Sequence, residues 1–119
     1  MKFRTTKRHF SLFRSECERC IKLYRIVGWR ADYLHDKCEG ARAECRSDAK
    51  HQVVVFALST EWGDQVRPTD ALVRQAARHE VIHLIVDKLN EISQFRFVTR
   101  DEHQHALEST VRHLEEILP

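Results

Sequence analysis

The chain has 119 residues, 42% of them apolar and 32% charged, which suits one globular domain over residues 1–119 with a single modest core. A formal charge of +2, with cations and anions interleaved, argues against a nucleic-acid partner. The longest apolar runs, 53–58 and 81–86, are far too short to span a membrane, so the chain reads as soluble and cytoplasmic.

Lys2, Arg4, Lys7 and Arg8 make a basic start that reads as a solvated terminus. From Lys7 to Val27 the pattern is an amphipathic helix, stopped by Gly28, whose apolar face is expected to pack on a sheet. Cys17 and Cys20 form a CxxC, but they fall with Phe10, Phe13, Ile21 and Tyr24 at helical spacing. Cys38 and Cys45 are too far apart to supply the second tight pair of a zinc ribbon. All four cysteines therefore read as reduced, with Cys17 and Cys20 on a buried face.

Trp29, Ala31, Tyr33 and His35 alternate with polar or charged neighbours and Leu34 in a first strand, and a turn follows at Lys37 to Gly40. Ala41, Ala43 and Cys45 alternate with Arg42, Glu44 and Arg46 in a second. After a polar turn at Ser47 to Lys50, the β-branched run Gln52 to Leu58 reads as the most buried strand. The three together read as an antiparallel meander. Ser59 to Arg67 reads as a loop, and Trp62 with Phe95 and Phe97 as a candidate partner surface.

Thr69 is a candidate N-cap and Asp70 favours the positive end of a second helix, which runs to about Leu89. Leu72, Ala76, His79, His83 and Val86 share one stripe of it. After a connector at Glu91 to Val98, Thr99 and Glu102 make a capping box. The stripe Leu107, Val111, Leu114 and Leu118 then marks a third helix. The fold class is α+β: N-terminal helix, three-stranded antiparallel meander, motif-bearing helix, C-terminal helix.

The motif is His79-Glu80-Val81-Ile82-His83. Histidines four apart share a helix face and can grip one metal ion, while the glutamate after the first projects about a hundred degrees round the helix and can reach water at the metal without ligating it. A catalytic zinc takes three protein ligands and leaves one position open. Val86 and Leu89 stand where HExxHxxGxxH would need glycine and histidine, so the third ligand is sought on the last helix, among Glu102, His103, His105 and Glu108. If the last two helices form a hairpin centred near residue 95, position 81 reflects to position 109. That favours Glu108, with His103 the second choice. Glu102 serves the cap, and His105 points away from the stripe.

With these residues the chain resembles the gluzincin metallopeptidases in a pared-down, minimal zincin-like form. Phe97 to Glu102, Ala106-Leu107-Glu108 and Val111 look like small metallopeptidases encoded in phages and prophages. The resemblance implies a zinc-dependent metallopeptidase acting on a peptide or protein substrate, with Zn2+ held by His79, His83 and Glu108, and Glu80 as catalytic general base. An oxyanion donor would come from Tyr33, His103, His105 or Arg96. Larger gluzincins often carry an acidic residue four positions after the zinc glutamate, orienting a ligand histidine. Arg112 stands there in this chain, so its second shell must be built differently. Two other readings remain open: a non-catalytic zinc-binding module of a phage or prophage, and a protease like the SprT-like enzymes that act on DNA-bound protein.

Overall fold

The computed structural model describes residues 2–93 and 100–117. The element order is β1 (Phe3–Arg4), α1 (Lys7–Leu23), β2 (Arg30–His35), β3 (Ala43–Asp48), β4 (Val53–Leu58), β5 (Glu61–Gly63), α2 (Asp70–Ser93) and α3 (Arg100–Ile117). The class is α+β, with three helices and two small sheets among the described residues.

Thr6 opens α1 by accepting a hydrogen bond from the His9 backbone N–H, and the His9 ring accepts one from the Thr6 N–H. The helix ends four residues before the expected Val27. Arg25 takes a left-handed φ of 55°, the Arg25 N–H donates to the Lys22 carbonyl, and the Ile26 N–H donates to the Ile21 carbonyl. That pair of bonds closes the helix in a Schellman motif, with Arg25 where glycine is usual. Gly28, also left-handed, turns the chain into β2.

The three central strands are not a meander. Their order is β2-β4-β3: β4 runs parallel to β2 and antiparallel to β3. The turn after β3 returns the chain between the two earlier strands, so Val53–Leu58, the most apolar of the three, gains partners on both edges and buries Val54, Phe56 and Leu58 in the core, while Val53 and Val55 on the other face are partly exposed. A second correction concerns the terminus. Phe3–Arg4 pairs antiparallel with Glu61–Gly63, inside the expected loop, and the Thr5 hydroxyl donates to the Ser59 carbonyl at 2.7 Å. The basic start is thus partly pinned, with Arg8 forking onto both Asp70 oxygens.

The main core joins Phe13, Cys17 and Cys20 of α1 to Val54, Phe56 and Leu58 of β4 and to Val73, Ala77, Val81 and Leu84 of α2. The apolar face of α1 thus meets α2 as well as the sheet. Trp62 is part of this core, 8% exposed beneath the Arg42 guanidinium, and is no surface patch; Phe95 and Phe97 lie outside the described residues. No helix among the described residues is long and apolar enough to cross a membrane.

Thr69 caps α2 as expected, its hydroxyl accepting the Leu72 N–H at 3.2 Å. The helix continues to Ser93, beyond the expected Leu89, so the connector begins later than expected; residues 94–99, and with them the Thr99 cap, are outside the described ones. The buried stripe of α2 is Val73, Ala77, Val81 and Leu84, one step round from the expected one. Ile82 and Val86 form a second, smaller core with Leu107 and Val111 of α3. Leu72, Ala76, His79 and His83 are only partly buried, on a third face that looks into a cleft.

Candidate metal centre

α2 and α3 lie side by side, and β3 closes the cleft opposite α2 as an edge strand of its sheet. Into this cleft come His79 and His83 from successive turns of α2 and Glu108 from α3. The two Nε2 atoms are 3.2 Å apart, His79 Nε2 is 3.2 Å from Glu108 Oε1, and His83 Nε2 is 3.3 Å from Glu108 Oε2. These three donor atoms fall within 4.8 Å of one another, and the group can hold a metal ion. All three side chains are partly buried, which limits competition from solvent without sealing the site.

Burial pushes the His83 imidazole below its usual pKa, against the opposing pull of Glu108, so the ring favours the neutral form that donates to metals. His79 is fixed from behind: its Nδ1 lies 2.5 Å from Glu115 Oε2, and Glu115 Oε1 accepts from Gln75 Nε2 at 3.0 Å. A carboxylate at Nδ1 orients the ring so that Nε2 faces His83 and Glu108.

Glu80 is 7% exposed and, among the described residues, has no hydrogen-bond or ion-pair partner. Burial, reinforced by Glu108, Glu115, Glu44 and Asp87, lifts its pKa to about 8. It lines two cavities that meet at the site. One, of about 250 Å³, has Ala41, Ala43, Leu72 and Ala76 in its walls; the other, of about 430 Å³, runs past Glu44 and Asp87.

Thus His79, Glu80, His83 and Glu108 are brought together. His105 is exposed and does not line the cleft. Tyr33 packs on Phe56 under Arg14 of α1, away from the cleft, and so is not poised as an oxyanion donor. Arg96 and the His103 side chain lie outside the described ones. Sequence reasoning missed Glu115, having looked for an orienting carboxylate at position 112, where Arg112 is exposed. The available signal was spacing: Glu115 follows Glu108 by seven residues, two helical turns, and so shares its face.

Comparison of the chain with protein-family models, with curated proteins and with solved structures finds no match.

Proposed function

We propose that this protein is a zinc-dependent metallopeptidase, with His79, His83 and Glu108 as ligands and Glu80 as general base. Two imidazoles and one carboxylate are a donor set suited to zinc, a borderline-soft cation, and three protein ligands leave a position for chemistry. When bound, zinc would supply Lewis acidity, lowering the pKa of a water ligand toward about 7 and polarising the scissile carbonyl.

The observation that carries the reading is the buried, unpartnered Glu80 beside the three ligands. A purely structural zinc site has no use for a fourth, largely buried carboxylate that has no protein partner and opens on two cavities, because such a group costs stability. A peptidase does: Glu80 takes a proton from the attacking water and delivers it to the departing amine nitrogen.

The edge strand suits an extended substrate. The Ser59 N–H donates to the Arg42 carbonyl, and in an antiparallel ladder this directs the N–H and C=O of Ala43 and Cys45 away from β4, toward the open edge. A peptide pairing there passes alongside His79 and Glu80.

The test is elemental mass spectrometry of untagged protein, then hydrolysis of unfolded protein substrates. Near-stoichiometric zinc is expected in the wild type, with loss in His79→Ala, His83→Ala and Glu108→Ala. Glu80→Gln is expected to keep zinc and lose at least about a hundredfold in turnover. Zinc-loaded protein whose Glu80→Gln form behaves like wild type would point to the non-catalytic zinc module instead.

A further inference from the structure

Resting on the peptidase reading, we propose that Asp87 is a specificity residue: it selects a cationic side chain on the N-terminal side of the cleaved bond, while the cavity at Leu72 and Ala76 takes an apolar one on the C-terminal side.

Asp87 lies four residues after His83, so it continues the stripe of His79 and His83 one turn further along α2. It lines the larger cavity together with Glu44, Arg46, Glu80 and Glu108. A divalent ion in the centre would balance Glu80 and Glu108, and Glu44 is already matched by Arg46 at 2.7 Å. That leaves Asp87, among the described residues, as the lining carboxylate without a cation. Its one hydrogen bond among the described residues comes from the Ser47 hydroxyl of β3, at 2.6 Å, and no ion pair satisfies it. A half-buried carboxylate so placed gains most from a charged donor brought in by a ligand. Glu80 is an independent sign that the cleft is built for an occupant, since it is over nine-tenths buried, lacks a partner and lines both cavities.

The opposite side of the centre differs in chemistry. Leu72 and Ala76 precede His79 on α2, and with Ala41 and Ala43 they give that cavity of about 250 Å³ an apolar side, with Arg42, Gln75 and Glu115 at its margin. The charged face and the apolar face are thus separated by the proposed catalytic residues.

Direction follows from the strand. On the strand side, the apolar cavity meets the chain only at Ala41 to Ala43, whereas the acidic one extends past Ala43 along Glu44, Cys45 and Arg46, and Ser47 reaches Asp87. A peptide pairing antiparallel to β3, the more stable arrangement, runs from the Asp87 end to the Leu72 end. Its residue at Asp87 therefore precedes the cleaved bond.

The experiment is to digest a proteome-derived peptide library, prepared without cutting at lysine or arginine, with zinc-loaded protein and to map cleavage by mass spectrometry. Lysine and arginine should be enriched about fivefold before the cleaved bond, and leucine-sized apolar residues after it. Asp87→Asn, which keeps an acceptor for Ser47, should lose the cationic preference with zinc content unchanged; Asp87→Lys should turn it toward acidic residues. Glu80-dependent cleavage with no charge preference, or with the order reversed, would overturn this inference and leave the peptidase standing. No cleavage of any peptide by zinc-loaded protein would overturn the peptidase reading, and this inference with it.

Discussion

Glu115 belongs to the candidate site although it is not one of its three clustered donors. It holds His79 by Nδ1 and is itself held by Gln75, one turn before His79 on the same helix. Glu115→Ala is expected to weaken zinc binding about 10–100-fold in chelator competition, with Glu115→Gln intermediate because its amide oxygen still accepts. Glu16 is a second instance, remote from the cleft. Burial alone would raise its pKa, but Arg19 and Arg78 outweigh that and hold it below the usual carboxylate value. A depressed folded-state pKa adds stability above the unfolded value that is lost as pH falls through the folded one. Wild type should therefore lose more stability than Glu16→Gln between about pH 5 and pH 3 in urea titrations, and Glu16→Ala should cost about 1–2 kcal/mol at neutral pH. At this scale His79, Glu80 and His83 were legible because helical spacing alone fixes their relation. The place of Glu108 was legible because a hairpin makes one helix the approximate mirror of the next. Glu115 was not read, although its spacing from Glu108 puts it on the same face, because the pattern of larger gluzincins pointed to position 112 instead.

Among the elements, α1 ends on a residue that is costly in that conformation. Arg25 is exposed and left-handed, so its side chain contributes no packing while its Cβ crowds the backbone. Arg25→Gly is expected to raise stability by up to about 1 kcal/mol, seen as a higher urea midpoint at unchanged slope. The strands themselves were readable within about two residues, since the in-and-out alternation of β2 is plain in Ala31, Tyr33 and His35. Their order was not. Alternation tells which face a residue takes but not which strand lies beside it, and the insertion of β4 between its predecessors is a choice made by burial of Val53–Leu58. β1 and β5, of two and three residues, are too short to carry a period at all. The stripe on α2 was read one step off because that helix is apolar toward both cores, which leaves its hydrophobic pattern with no single direction.

Over the whole molecule, α1, α2 and the three-stranded sheet share the main core, while α3 joins through the smaller cluster of Ile82, Val86, Leu107 and Val111. A metal held by ligands from both α2 and α3 adds its binding energy to that weaker seam. Zinc at a thousandfold over its dissociation constant is expected to stabilise the fold by about 4 kcal/mol, read as a rise in melting temperature that EDTA reverses. His83→Ala should abolish the rise. Division of the centre between two helices also makes it vulnerable in a particular way. Displacement of α3 withdraws Glu108 and Glu115 in one movement, leaving two histidines with neither a third ligand nor an anchored ring. If the proposed activity holds, a compound that wedges between the helices would thus disarm the protein without occupying its cleft, an inhibitory route open to molecules that carry no chelating group.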